Sequence, residues 1–148
     1  MADAQRELED AQVLQDNRRW AAAVTSSLHS VEKSLKGLLV IARGESEVPV
    51  THRMLPIVED RIVAFGKHLR GDPARKALRK TLFLLECWVP GKNHDQNSEY
   101  PWCDLLSGAL LLPGTEFQES HAQEAVGAAE EVLTVVKGFA QAAYAATL

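Results

Sequence analysis

The sequence predicts an all-α fold, an antiparallel up-and-down bundle of four or five helices that forms a single domain over residues 1–148. Three observations indicate this class. Apolar residues recur at helical spacing through nearly the whole chain, glycine, proline and capping residues separate these segments, and no segment alternates with the two-residue period of a half-buried strand. A chain of 148 residues can bury a substantial core in one domain.

Start and stop signals divide the chain into five predicted helices. Asp3, Thr51 and Asp72 are suitable N-caps, and Pro73 suits a first helical position, where its missing N–H has no partner to lose. Gly44 provides a stop after the second helix. The predicted helices span residues 3–15, 18–42, 52–69, 73–89 and 120–146, and residues 105–117 are predicted to be irregular or only briefly helical.

Apolar stripes on the second and last helices form the predicted core. Both stripes follow the helical period, and the small residues of the last helix permit close packing. The fourth helix has an apolar run broader than one stripe, which predicts a central place in the bundle, a subunit interface, or some of both. The stripes comprise Val24, Leu28, Val31, Leu35, Leu38 and Leu39, and Ala122, Ala125 or Val126, Ala129, Leu133, Val136 and Ala140.

Charged residues border the stripe of the second helix. Glu32 lies only about 60° from its centre, Lys36 follows one turn later, and Lys33 points away from it. A glutamate four residues before a lysine is a favourable surface pair that contributes about 0.2–0.5 kcal/mol. Alternatively, Glu32 and Lys36 face another helix, a second subunit or a ligand.

The charge pattern argues against nonspecific coating of nucleic acid but is compatible with a local binding site for RNA or a nucleotide. A net charge of −4 argues against indiscriminate coating of nucleic acid, because that binding depends on neutralising phosphates. Yet residues 61–80 carry seven basic side chains and one acidic one, whereas residues 116–131 carry five glutamates and no basic residue. These segments are predicted to attract each other within the fold or across subunits. They also leave one local basic patch for RNA or a nucleotide.

The composition predicts a cytoplasmic protein. The first residues are polar and acidic rather than an apolar signal segment, and no stretch reaches the roughly 18 apolar residues of a membrane span. Cys87 and Cys103 lack metal or redox spacing, so both are interpreted as packing residues with free thiols. No cofactor is predicted.

Three features of the chain have counterparts in a known family. An alanine-rich entry to the second helix leads into Glu32-Lys33-Ser34-Leu35-Lys36, a Glu-Lys-x-x-Lys element, and Thr51-His52 opens the third helix. The order and length of the helices complete the match from about residue 5 to residue 140. Together they resemble the HEPN family, the higher eukaryotes and prokaryotes nucleotide-binding domain. The resemblance implies a bundle that usually dimerises, often pairs with a minimal nucleotidyltransferase, and in many members cleaves RNA without a metal.

The family's ribonuclease motif, an arginine, four to six intervening residues and a histidine, is not matched where expected. Lys92-Asn93-His94 has no arginine at a suitable distance, and a related Arg-Tyr-Pro form is replaced by Glu99-Tyr100-Pro101. Arg61 and His68 are the only literal match to the spacing, but inside the predicted third helix they stand about 10 Å apart along the axis, too far to act on one phosphate. Ribonuclease activity would need His94 with a basic residue from elsewhere in the chain or across a dimer.

Histidine and glutamate pairs raise a metal-carboxylate bundle as a weaker alternative. His29 with Glu32, and His121 with Glu124, stand one turn apart, and Glu86 is a plausible third ligand. Di-metal bundles use the order Glu-x-x-His with two further inward carboxylates, so the reversed order and the missing fourth ligand argue against this site. No metal is predicted.

A polar loop, KNHDQNSEYPW, is the predicted centre of a ligand site, because titratable groups beside aromatic rings are typical of small-ligand or base-stacking sites. The alternative is a polar loop that its two aromatic residues anchor against the bundle. The expected cleft would bind a phosphate-bearing ligand. Its predicted binding residues are Lys36, Arg79, Lys92, His94 and Tyr100, with Glu32 and Glu86 at its edge.

The preferred function is therefore a homodimeric HEPN-like module that binds a nucleotide, RNA or a partner protein such as a nucleotidyltransferase, without the ribonuclease dyad. The alternative is a metal-independent ribonuclease toxin of a toxin–antitoxin pair that uses His94. The metal-carboxylate bundle is the third option.

Overall fold

The computed structural model describes residues 1–44, 48–51, 53–86, 101–103 and 107–145. It confirms the all-α bundle. No helix in these ranges is both long enough and apolar enough to cross a membrane. The elements are α1 (Ala2–Asp16), α2 (Trp20–Arg43), α3 (Leu55–Arg61), α4 (Val63–Arg70), α5 (Pro73–Glu86), β1 (Trp102–Cys103), β2 (Leu110–Leu111), α6 (Pro113–Glu116) and α7 (Glu119–Ala145).

The core lies where α1, α2 and α7 pack against one another. The predicted stripe of α2 is buried except for Leu28, which is half-buried, and the predicted stripe of α7 is buried throughout. Alanines lie in all three helices at this contact, and small side chains let helix axes approach closely. The buried alanines are Ala4 and Ala11 of α1, Ala23 of α2, and Ala122, Ala125, Ala128, Ala129 and Ala140 of α7.

A buried hydroxyl joins the first two helices. Ser30 of α2 is fully buried and donates a hydrogen bond of 2.8 Å to the backbone carbonyl of Ala4 in α1. The two other buried serines of α2, Ser27 and Ser34, donate to carbonyls four residues earlier in their own helix. Each hydroxyl is therefore satisfied, and the polar stripe does not carry the cost of an unpaired buried group.

The connection between α1 and α2 contains a strained backbone. Arg18 has a φ of +58°, the left-handed conformation in which the Cβ atom of an L-residue is crowded. Its N–H donates to the carbonyl of Gln15, and the next N–H, of Arg19, donates to that of Leu14. These two bonds hold the reversal that brings α1 back against α2.

The prediction of one helix over residues 52–69 is wrong, because the helix breaks at Ile62 and the chain forms two helices, α3 and α4. Ile62 has φ −121° and ψ 73°, which lie outside the helical region, and its carbonyl accepts from Phe65 and Gly66 at the start of α4. The apolar spacing continues through the break and conceals it in the sequence. Leu55, Val58, Ile62, Phe65 and Leu69 are all buried.

One predicted N-cap is confirmed and two are wrong. Asp72 caps α5, since its Oδ1 accepts from the N–H groups of Ala74 at 2.7 Å and Arg75 at 3.4 Å. Asp3 instead lies in the first turn of α1, where its charge suits the helix dipole. Thr51 accepts from the N–H of Arg53 ahead of α3, which begins only at Leu55.

The segment predicted to be irregular or only briefly helical contains the short helix α6 and the strand β2, which forms a minimal β pair with β1 just before the segment. Trp102 lies opposite Leu111, and Cys103 opposite Leu110, in antiparallel register. Cys103 and Leu110 are exposed, so the prediction that Cys103 is a packing residue is wrong: this pair lies on the surface. Cys87 lies outside the described residues.

The strain at Arg18 gives a testable prediction. Arg18→Gly should raise the free energy of unfolding by about 0.5–1 kcal/mol, because glycine adopts a positive φ without a crowded Cβ atom. Urea unfolding measures the change. Arg19→Gly is the control, since φ is −96° there and glycine only adds freedom to the unfolded chain. A fall in stability at both positions would contradict strain at Arg18.

Candidate functional site

Two rows of cationic side chains lie on α4 and α5. Lys67 and Arg70 stand about one turn apart on α4, and Lys76 precedes Arg79 and Lys80 by about one turn on α5, so each row occupies one side of its helix. All five side chains are exposed except that of Arg79, which is partly buried. We call these five residues the basic face.

The two rows meet at Glu59 of α3. Arg79 donates from Nε to Oε1 at 2.5 Å and from Nη2 to Oε2 at 2.9 Å, so one edge of its guanidinium makes a bidentate hydrogen bond to the carboxylate. Nη1 of Arg70 lies 3.6 Å from Oε1. The hydrogen bonds that Arg79 donates to Glu59 raise the pKa of Arg79 above its usual range. The Glu59 side chain is 13% exposed, whereas those of Arg70 and Arg79 are 51% and 39% exposed, so the two arginines are the more solvent-accessible part of the cluster.

Gly66 provides the room for Arg70 at this junction. A Cβ atom on the buried Gly66 would lie 3.1 Å from Nη2 of Arg70 and 3.5 Å from the carbonyl oxygen of Glu59. The missing side chain therefore leaves room for the Arg70 guanidinium beside Gly66, where α4 passes close to the backbone of Glu59. The break at Ile62, which ends α3 and starts α4, lies between the two helices that this contact joins.

A second contact joins a histidine to an arginine. Nη1 of Arg75 lies 3.0 Å from Nδ1 of His68, and the imidazole ring lies near Phe65 and Phe139, with centroids 6.5 and 5.5 Å away. A guanidinium only donates, so Nδ1 accepts and the ring proton is assigned to Nε2. Burial, and then the charge of Arg75, lower the pKa of His68.

This contact revises the sequence-based interpretation of His68. Arg61 and His68 were predicted to share one straight helix, but they lie in α3 and α4 on either side of the break. The arginine that His68 contacts is Arg75, seven residues after it, whereas the family motif places the arginine first. A search for that motif therefore misses the pair.

Arg75 also lines an open cleft between α5 and α7. The cleft has a volume of about 360 Å³, with Leu78 and Val135 among its apolar residues and Glu130 and Glu131 on the α7 side. Basic and acidic segments therefore adjoin within one chain here, which agrees with the predicted attraction of the two charge runs.

The predicted pair on α2 is confirmed. Lys36 donates to Glu32, one turn earlier, and the two side chains are 26% and 14% exposed. Lys33 lies on the exposed side of α2, as predicted, and donates to Glu7 of α1 at 2.5 Å. Nδ1 of His29 lies 3.9 Å from the same carboxylate. This charged cluster therefore ties α1 to α2.

Two of the predicted ligand-binding residues, Lys36 and Arg79, take part in separate ion pairs, and the others lie outside the described residues. Lys36 bonds Glu32, Arg79 bonds Glu59, and within the described residues no hydrogen bond or ion pair joins Lys36 to Arg79. Lys92, His94 and Tyr100 lie outside the described residues, as does the side chain of Glu86.

The predicted metal pairs do not gather into a site in the described part of the chain, where no three His, Cys, Asp or Glu side chains are grouped to hold an ion. Instead, Nδ1 of His121 accepts from the backbone N–H of Gln118 at 3.1 Å, just before α7 begins. This histidine therefore satisfies a free N–H group at the helix start.

The His68 contact predicts a pH-dependent stability. The folded-state pKa of His68 lies below its ordinary value of 6.5, so the unfolded chain takes up the proton first as the pH falls. The contribution to stability is complete above pH 6.5 and is lost as the pH falls through the lowered pKa. Urea unfolding across this range should show a smaller loss for His68→Gln than for the unmutated protein.

Arg75→Gln is the matched variant, because it removes the second cause of the lowered pKa and leaves the burial. It should show an intermediate loss of stability. If His68→Gln and the unmutated protein lose stability equally as the pH falls, the contact does not control this titration.

Comparison with known proteins agrees with the all-helical architecture. A comparison with curated proteins and with solved structures gives no match. A family model described as the HEPN domain matches residues 1–139, which is most of the chain. The chain therefore belongs to the HEPN domain family.

Proposed function

We propose that this HEPN domain binds a phosphate-bearing ligand, a nucleotide or RNA, through the basic face. The observation that carries the proposal is the concentration of exposed cations on α4 and α5 in a chain whose net charge is −4. Clustered lysine and arginine side chains neutralise phosphates and displace their counterions, which drives such binding. HEPN domains are often related to nucleotides or RNA, and this relation supports the proposal.

The predicted loop residues belong to the same proposal. Lys92, His94 and Tyr100, which lie outside the described residues, stay in the proposal as predicted ligand-binding residues. Lys36 stays in the proposal as a predicted ligand-binding residue, and Glu32 and Glu86 stay as predicted residues of the cleft edge. We also propose a cytoplasmic homodimer that works with a nucleotidyltransferase-type partner, as family membership supports.

The basic face gives a testable prediction about RNA binding. Lys76→Gln combined with Lys80→Gln should weaken the affinity for a fluorescein-labelled single-stranded RNA by about tenfold at low salt. It should also reduce the slope of log affinity against log salt by up to about 1.4, because about 0.7 is lost for each phosphate contact. Fluorescence anisotropy at several salt concentrations measures both effects.

The control is a double variant that removes two positive charges away from the basic face. Arg6→Gln combined with Arg19→Gln changes two exposed cations on α1 and on the connection to α2. This variant should retain most of the affinity. Equal losses in both double variants would show a nonspecific charge effect, and no binding of RNA or AMP by the unmutated protein would refute the proposed function.

A second candidate function is metal-independent RNA cleavage, which the His68–Arg75 contact favours. A neutral imidazole can take the proton of a ribose 2′-hydroxyl as its oxygen attacks the phosphorus, and a guanidinium can stabilise the phosphate charge. The bond from phosphorus to the 5′-oxygen then breaks, the 5′-oxygen takes a proton from the imidazolium, and a 2′,3′-cyclic phosphate is left. The lowered pKa of His68 keeps the ring neutral near pH 7. Because Arg75 engages Nδ1, it would have to move to the phosphate to free that base.

Incubation of a mixed RNA with the purified protein in EDTA tests this candidate. His68→Gln and His94→Ala identify the base, and a nuclease-free mock purification excludes contamination. Cleavage lost only in His68→Gln would support the His68–Arg75 pair, and loss only in His94→Ala would support the predicted alternative. RNA binding without cleavage would leave binding as the function.

A further inference from the structure

Arg70 and Arg79 retain unused donors while they share one carboxylate. A guanidinium has five N–H donors, and Arg79 directs two of them to Glu59. Arg70 approaches Glu59 at 3.6 Å, beyond a normal hydrogen bond. Within the residues that the structure describes, no other acceptor bonds either guanidinium. Several N–H groups of two adjacent arginines therefore remain available on the exposed side of the cluster.

The charge of this cluster also favours an anion. Two guanidinium groups face a single carboxylate, which leaves one positive charge in excess, and the carboxylate is the more buried partner. A phosphate group can accept two or more N–H bonds from such an arrangement, and arginine forks suit it better than lysine does. The acceptor Glu59 lies beneath the cations and leaves their outer edges to the ligand.

We infer that Arg70 and Arg79 form the phosphate-binding centre of the basic face, and that Glu59 is a positioning residue that holds both guanidinium groups toward the ligand. The ligand class is a phosphate ester, either the phosphate of a nucleotide or the backbone of an RNA strand. The inference rests on the proposed function, because it specifies which part of the basic face makes the directional contacts.

Glu59 is expected to favour binding although its own charge repels phosphate. The bidentate bond to Oε1 and Oε2 fixes the plane of the Arg79 guanidinium, and an ordered side chain loses less conformational freedom when it binds. Simple electrostatics gives the opposite expectation, because removal of any nearby negative charge should tighten binding of an anion. The sign of the effect therefore separates positioning from bulk charge.

The experiment compares Glu59→Gln with Asp60→Asn. Asp60 is the next residue, is exposed, and loses the same charge in its variant, so it is the matched control. Glu59→Gln should weaken binding by about tenfold, the scale of one charge-assisted hydrogen bond, whereas Asp60→Asn should leave it unchanged or tighten it by about twofold. Anisotropy with labelled single-stranded RNA and titration with AMP distinguish a strand from a free nucleotide.

Arg79→Lys keeps the charge and removes the fork, so it tests the site without relying on a Glu59 variant that could destabilise α3. It should weaken binding by about tenfold, because lysine cannot make the same bidentate contact. Circular dichroism and thermal unfolding test whether each variant is folded at the assay temperature.

The outcomes separate the two proposals. Weaker binding in both Glu59→Gln and Arg79→Lys, with Asp60→Asn unaffected or tighter, supports the site. Equal or tighter binding by Glu59→Gln and Asp60→Asn, in a protein whose binding still depends on Lys76 and Lys80, overturns the positioning role and leaves the proposed function standing. No binding of RNA or AMP by the unmutated protein overturns both.

Discussion

The bundle depends on the close approach of α1 and α7 to α2. Alanines and serines line this contact, and the Ser30 hydroxyl reaches across it to the carbonyl of Ala4. Larger side chains would separate the helices and break that bond. The rest of the fold follows from this three-helix core, because α3, α4 and α5 bury Leu55, Phe65 and Leu78 against it and need no core of their own.

The candidate site lies in the part of the fold where helices are short and charges are dense. Glu59, Arg70 and Arg79 belong to three different helices, so their contact depends on how those helices are joined. The break at Ile62 and the missing side chain of Gly66 both serve that arrangement. The core thus provides a rigid support, and the polar layer beside it provides the chemistry. Such a division lets the ligand-binding residues vary while the core is retained.

Interactions within one helix could be predicted from the sequence, and those between helices could not. The core stripes of α2 and α7, the Glu32–Lys36 pair and the Asp72 cap follow from local spacing. The break at Ile62 was concealed because apolar residues keep helical spacing across it. The Glu59–Arg79 and His68–Arg75 contacts join residues 20 and 7 positions apart on separate helices. Their pairing depends on the turns between helices, for which periodicity gives no rule.

The brevity of α3 and α4 has a consequence for the protein's motions. Helices of 7 and 8 residues are well below the length of roughly 12–15 residues at which an isolated helix becomes even marginally stable in water. Their order therefore depends on contacts made by Leu55, Phe65 and Glu59 rather than on their own hydrogen bonds. Segments of this kind open at a lower free energy than a core does, so amide hydrogens in α3 and α4 should exchange with solvent sooner than those in α2. A ligand held by Arg70 and Arg79 would join α4 to α5, and Glu59 already joins α3 to both arginines, so binding would coincide with a local gain in order across these short helices.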